Sequence, residues 1–330
     1  MSQATETQVT AKSQGIPFYI HALTSMHPGV GTGVGNVDLP VARERTTGIP
    51  YLPGSSIKGV LRYEAERRSW PLEKIRQVLG IPNNLEPPPS SDLAKVVFGP
   101  DTKQAFEHAG AVSFGDAKLL LLPVRSYEGV FAYVTSPFIL KRFFYELKLL
   151  GGRKAGVKTE VPDLKAEQAM VPQESRVVFE GKLVLEDMAL NTQKGEGVWQ
   201  KVFGELAKAL EPLELPWPLK ERLAVVSDTA LSYLLETALE VVARIRLNAV
   251  TKTVEQGALW YEENLPAESV LYGVATLPDE SFGRLKKDEP TATLKRAQML
   301  RYLKELVAKP LQFGGNATIG RGLARMVLDV

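Results

Sequence analysis

The chain has 330 residues, 44% hydrophobic and 24% charged, a composition with ample material for a folded core. It has no cysteine and only three histidines (His21, His27, His108), which excludes disulfides, thiolate metal sites and cysteine nucleophiles and disfavours an all-protein zinc site. The net charge of +2 names no partner by itself. No run approaches the ~18 apolar residues of a membrane helix, so no membrane partner and a cytoplasmic location are expected.

Residues 1–15 are polar, lack an apolar stretch and read as a disordered tail. Residues 16–24, IPFYIHALT, are rich in β-formers and read as the first strand. Next comes a loop with four glycines (Gly29, Gly31, Gly33, Gly35), one histidine (His27), one acid (Asp38) and two arginines (Arg43, Arg45). Glycine lets a backbone come close to a ligand, and a carboxylate flanked by cations is a reasonable place for phosphate chemistry. Residues 48–55 hold too much Pro and Gly for regular structure.

Residues 55–69 change to helical spacing. Ser55 or Ser56 can cap, Ile57, Val60, Leu61 and Ala65 form an apolar stripe, and Lys58 and Arg62 lie one turn apart. Residues 110–124 and 129–135 read as strands, 137–150 as a helix, and 152–171 as an irregular Lys-rich insertion. A strand is expected over 176–185, helical pieces over 198–209 and 219–223, and a capped helix over 227–238. Two β-prone arms joined by a polar turn then form a hairpin over 241–266. A strand at 269–276, a helix at 291–308, and a strand, a GGNATIGRG loop and a last strand complete the chain. Strands scattered unevenly among helices predict an α+β fold.

Two basic groups adjoin the glycine-rich loops: Lys58, Arg62, Arg67 and Arg68 after the first, and Arg284, Lys286, Lys287, Lys295, Arg296 and Arg301 before the last. Each by itself fits a solvated face, whereas together they point to a polyanion.

Three motifs in this order, HPGVGTGVGNVDLPVARER (27–45), IPYLPGSSIKGVLR (49–62) and FGGNATIGRGLARM (313–326), resemble the RAMP superfamily of CRISPR-associated proteins. More narrowly, with 98–137 and 244–266, the pattern resembles the repeating backbone subunit of the type III-B (Cmr) RNA-guided effector complex. The resemblance fades across 152–171. It implies a single ferredoxin-like (RRM-like) palm over 16–330 with insertions and a β-hairpin thumb at about 244–266. Copies would stack along a CRISPR guide RNA with other Cmr subunits, serve antiviral defence, and cut target RNA at regular intervals. Cleavage would need a divalent metal, Mg²⁺ or Mn²⁺, and the cleaving acid falls on Asp38.

RNA can be cut by its own 2′-OH attacking the adjacent phosphate, so the protein must orient the backbone and neutralise charge. A carboxylate is a weak base at neutral pH, which casts Asp38 as the ligand of a hydrated cation. Otherwise it caps a turn or pairs with Arg43 or Arg45. His27 would act as acid or base or bond a phosphate, or it bonds its own loop. Glu262 and Glu263, at the end of the thumb segment, would assist the neighbouring subunit's Asp38 with metal or water, or they form a solvated acidic pair. Expected RNA contacts are Ser55, Ser56, Lys58, Arg62, Arg43 and Arg45, with Asn316, Arg321 and the backbone of Gly314, Gly315 and Gly320 in the last loop. Ile245, Leu247 and Val250 of the thumb would wedge between bases, or they belong to the core.

Two alternatives to a target-RNA endonuclease follow from the same resemblance: a purely structural guide-binding subunit, and a stand-alone guide-processing endonuclease. A nucleotide-binding enzyme fits poorly, because the chain lacks GxxxxGK[ST] and its glycines do not open a helix as GxGxxG requires.

Overall fold

The computed structural model describes residues 13–31, 37–100, 108–150, 160–248, 250–281, 283 and 293–329. Most of the expected tail, Gly33 and Gly35, residues 152–159 of the insertion, and the basic residues Arg284, Lys286 and Lys287 lie outside them.

The architecture is α+β, as the uneven spacing predicted. Strand β1 (Gln14–Ala22) buries Ile16 and the whole run from Phe18 to Ala22, and opens the fold two residues earlier than expected. A two-residue strand, β2 (Tyr51–Leu52), interrupts the Pro/Gly stretch that promised no regular structure. Three helices follow, α1 (Gly54–Arg67), α2 (Leu72–Leu79) and α3 (Ser90–Phe98). Then come β3 (Ser113–Phe114), β4 (Ala117–Arg125), β5 (Phe131–Thr135) and α4 (Pro137–Leu149).

The expected irregular insertion ends in a strand, β6 (Gln168–Val171). The strand expected over 176–185 begins only at β7 (Lys182–Leu185), because Glu180 and Gly181 both take positive φ in a turn that reverses the chain. Next are β8 (Met188–Lys194), α5 (Val198–Leu210), α6 (Leu219–Arg222), β9 (Leu223–Val226) and α7 (Asp228–Thr237). The hairpin is β10 (Glu240–Leu247) and β11 (Val254–Asn264). The chain closes with β12 (Val270–Leu277), α8 (Arg296–Leu306), β13 (Leu311–Gln312) and β14 (Leu323–Leu328).

Among the described residues twelve strands form one mixed sheet in the order β13–β14–β1–β12–β4–β5–β9–β6–β8–β7, with β2 against β4 and β3 against β12. Its middle is antiparallel, and β1 is bonded on both edges by β12 and β14. Because both neighbours return from late in the chain, the ends of the sequence meet at one place. Parallel pairs occur at β5–β9 and β6–β8.

The helices cover the sheet with apolar stripes. In α1 the buried residues are Gly54, Ile57, Leu61 and Ala65, the 3.6-residue pattern read from the sequence. Helix α4 buries Phe143 against Tyr272 of β12, ring centroids 4.9 Å apart at 80°. Burial of a side chain such as Leu61 or Phe143 contributes about 1.5–3 kcal/mol. Ser227 caps α7 by accepting the Ala230 N–H, as expected. Neither Ser55 nor Ser56 caps α1. Both sit inside its first turn after Pro53, and the terminal Gly54 N–H donates instead to Asp116 Oδ1 at 2.8 Å, from the β3–β4 connection.

The β10–β11 hairpin is a sheet of its own. From Val241 to Leu247 it extends about 20 Å at strand rise. No helix of the described residues is long and apolar enough to cross a membrane.

Candidate functional site

Strand β11 is the wall on which the glycine-rich loop is built. The loop leaves β1, pairs Met26 with Leu265, and returns with Leu39 bridged in parallel to Glu262. Leu39 N–H donates to Tyr261 O and Glu263 N–H to Leu39 O, so the loop adds a short third rung beside the hairpin. The returning limb then pairs with the chain entering α1, through Tyr51 N–H to Ala42 O and an Arg43–Pro50 bridge. One continuous backbone path therefore links Asp38 to the helix carrying Lys58 and Arg62.

Asp38 is exposed, and its Oδ2 accepts the Tyr261 backbone N–H at 2.8 Å. Tyr261 faces Ala243 across the hairpin and turns its own N–H and C=O outward to the loop, which is why a main-chain donor is free for the carboxylate. Asp38 pairs with neither of the arginines weighed for it. Arg43 turns inward and donates to Gly48 O (3.0 Å), Leu235 O (2.8 Å) and Glu263 Oε1 (2.7 Å). Its fork is thus committed within the protein. Arg45 is exposed in the turn that follows.

His27 is buried, 7% exposed, and bonds Glu263 O through Nδ1 at 2.7 Å. A carbonyl only accepts, so Nδ1 carries a proton. The ring lies so close to the loop that a Cβ on Gly29 would stand 2.5 Å from Nε2, and one on Gly314 2.4 Å from His27 O. Glycine is required at both positions by close approach, and Gly314 also has φ +78°.

Glu262 and Glu263 are consecutive, so the strand points them to opposite faces. Neither is solvated: Glu262 is 3% exposed and Glu263 8%. Glu262 accepts Trp260 Nε1–H at 2.9 Å and Asn316 Nδ2–H at 3.1 Å, with Arg244 Nε 3.7 Å away. Arg321 reaches Glu240 Oε2 at 3.3 Å. The last loop is therefore pinned to the foot of both hairpin strands. Its backbone docks on His27 through Gly315 N–H to His27 O at 2.9 Å, and Gly320 caps a 3₁₀ turn over Ala317–Ile319.

On α1, Ser55 is exposed and Ser56 and Lys58 are half-buried. Burial, then the neighbouring Arg62 charge, push the Lys58 ammonium below the usual lysine range. A phosphate set beside the two cations would offset that repulsion. Arg62 donates to Glu66 Oε1 (2.8 Å) and Pro100 O (3.3 Å). On the hairpin, Ile245, Leu247 and Val250 are exposed, and Leu259, the cross-strand partner of Ile245, is exposed with it. They belong to no core.

The structure thus brings His27, Asp38, Arg43, Glu262, Gly314, Gly315, Asn316 and Arg321 to the hairpin foot, with Lys58 and Arg62 one connection away and the apolar residues toward its tip. Sequence reasoning passed over Trp260 and the Tyr261 N–H, and it weighed Glu263 only together with Glu262, as an aid to metal or water or as half of a solvated pair. Only the alternation of the EE pair in a strand signalled that the two acids face different partners.

Among the described residues no group of three or more His, Asp or Glu side chains converges as a metal cage. One exposed carboxylate fits a hydrated divalent cation that takes its other ligands from water and a phosphate, with Asp38 as the one protein ligand.

The RAMP superfamily model matches residues 19–325. The chain is 37% identical over 310 residues, 94% of each chain, to CRISPR system Cmr endoribonuclease Cmr4 of Pyrococcus furiosus. It is 26% identical to CRISPR system CMR subunit Cmr4 of Saccharolobus solfataricus, over 94% of this chain and 95% of that one. Its fold is similar to the crystal structure of oligomeric Cmr4 from Pyrococcus furiosus, with TM-score 0.63 and 28% identity over 96% and 98% of the two chains. It is also similar in fold to a chain of the type III-B Cmr-beta complex bound to cognate target RNA, with TM-score 0.67 and 21% identity over 95% and 96%. The chain belongs to the RAMP superfamily and, within it, to the Cmr4 family.

Proposed function

We propose that this chain is a guide-RNA-binding backbone subunit of a type III-B effector complex and its target-RNA endonuclease, working in the cytoplasm beside further copies of itself and other Cmr subunits. The large sheet serves as an RRM-like palm, and the β10–β11 hairpin is the thumb that interrupts the guide–target duplex. The observation that carries the reading is Asp38: an exposed carboxylate held by a main-chain N–H at the hairpin foot. The 37% identity to a protein named an endoribonuclease supports it.

In the cutting step the ribose 2′-OH attacks the adjacent phosphorus, the P–O5′ bond breaks, and a cyclic phosphate and a 5′-OH result. The hairpin holds the target strand open beside the loop, and the protein's task is in-line orientation with electrostatic support. A divalent cation, when bound, supplies neutralisation of the phosphate charge, with Asp38 its ligand. Lys58, Arg45 and the last loop's backbone hold guide phosphates, which fix register without reading sequence.

The test is the product pattern. Complexes reconstituted with guide RNA should cut a complementary target at regularly spaced positions and stop when divalent cations are chelated. The chain by itself should leave precursor guide RNA intact. Processing of precursor by the isolated chain would favour the stand-alone nuclease, and full binding of target with no cutting would favour the structural subunit.

A further inference from the structure

Glu263 spends every polar atom it has on the loop that carries Asp38. Its N–H donates to Leu39 O at 2.9 Å, and its C=O accepts His27 Nδ1–H at 2.7 Å. Its Oε2 accepts the Val41 N–H at 3.0 Å, and its Oε1 accepts Arg43 at 2.7 Å. The four contacts straddle Asp38, one before it in sequence and three after. They are also shielded, since the Glu263 side chain is 10% exposed and that of Arg43 20%.

Arg43 carries the hold further. The same guanidinium that meets Glu263 bonds Leu235 O near the end of α7 and Gly48 O in its own turn, with Glu236 3.7 Å away. The anchor of the Asp38 carboxylate is the Tyr261 N–H, which lies two residues from Glu263 on the same strand. An exposed loop whose reactive carboxylate hangs on one main-chain donor needs rigid flanks to keep that carboxylate placed. Short, shielded, charge-assisted bonds supply them.

We infer that the Arg43–Glu263 pair is a positioning device for Asp38, acting on cleavage through the geometry of the loop and not through contact with RNA. This rests on the proposed role of Asp38. It also separates the two acids that stand side by side: Glu262 ties the hairpin to the last loop, and Glu263 sets the cleaving loop. Arg43, expected from sequence to grip RNA, serves the acid instead.

The experiment uses effector complexes assembled with guide RNA and containing Glu263→Gln, which keeps the shape and an acceptor for the Val41 N–H but removes the charge that holds Arg43. Two quantities are read: the single-turnover rate of target cleavage at saturating target, and the hydrogen exchange of the Tyr261 amide in the isolated chain. Misplacement of a catalytic group by about 1 Å costs up to about 100-fold. The expected result is a cleavage rate lowered about 10- to 100-fold, guide and target affinity within about twofold, and faster exchange at Tyr261. A cleavage rate within about twofold of the unsubstituted complex, or unchanged protection at Tyr261, would overturn the inference. Should Glu263→Gln fail to assemble, Arg43→Lys takes its place, because it keeps the charge but loses the three-way fork. The same two measurements are made on it, and the same outcomes support or overturn the inference. An Asp38→Ala control keeps the two readings apart. If it still cuts, the role of Asp38 fails, whereas the exchange of Tyr261 in the Glu263 variant continues to report on the hold.

Discussion

The backbone N–H of Tyr261 and the side chain of Asp38 share a 2.8 Å hydrogen bond that joins the glycine-rich loop to the hairpin. The donor belongs to the main chain, so the identity of residue 261 matters to the bond only if the N–H is lost. The hairpin ladder does not need that N–H, because Tyr261 turns it away from Ala243.

Substitution at this point separates backbone from side chain. Tyr261→Pro, at an N–H outside the ladder, should leave the hairpin paired and lower target cleavage about tenfold or more. Tyr261→Ala keeps the donor and should cleave faster than the proline variant by a similar factor. Equal rates for the two, in single-turnover assays of assembled complexes, would show that the bond does not matter.

Glu262 should matter first to stability. Glu262→Ala leaves the Trp260 and Asn316 donors and the Arg244 charge without their acceptor in a site that is almost closed to water. Unmade bonds of this kind cost about 1–3 kcal/mol each. A clear drop in the melting temperature of the isolated chain is expected, and an unchanged melting curve would contradict the structural assignment.

Lys58 has burial and Arg62 against its charge, and a phosphate in its favour. Lys58→Ala should weaken guide binding for all sequences alike. It should also flatten the dependence of log affinity on log salt by about one unit. Titration of guide RNA at several salt concentrations reads both, and a slope unchanged from the parent would remove Lys58 from the interface.

The exposed apolar residues of the hairpin make the opposite prediction. Ile245 is 51% exposed, so Ile245→Ser should shift the stability of the isolated chain by less than about 0.5 kcal/mol. Target cleavage should nevertheless fall, because a polar residue no longer favours insertion between bases. Loss of folding stability without an effect on cleavage would return Ile245 to a structural role.

Much of the fold is legible in the sequence, for reasons that differ by element. Helices α1, α4 and α7 carry their own stripes, and two of the three carry local start signals, Pro137 after Ser136 and Ser227 before Asp228. The cap of α1 escaped because its partner, Asp116, lies 62 residues away in sequence. Strands β6 and β9, QAMV and LAVV, are four residues each, too short to show a period. The site divides the same way. Asp38 and the two glycine-rich loops stand out by composition. The inward turn of Arg43 and the four bonds of Glu263 depend on which segments β11 brings together, and a loop arginine beside a carboxylate reads identically whether it faces RNA or protein.

The glycine-rich loop, the hairpin foot and the last loop converge on one carboxylate, and one substitution addresses it. Complexes assembled with Asp38→Ala in every copy should bind guide and target with affinities within about twofold of the parent, while cleavage at all spaced positions falls at least about 100-fold. Regular, cation-dependent cutting that survives this substitution would contradict the assignment of Asp38 as the cleaving residue.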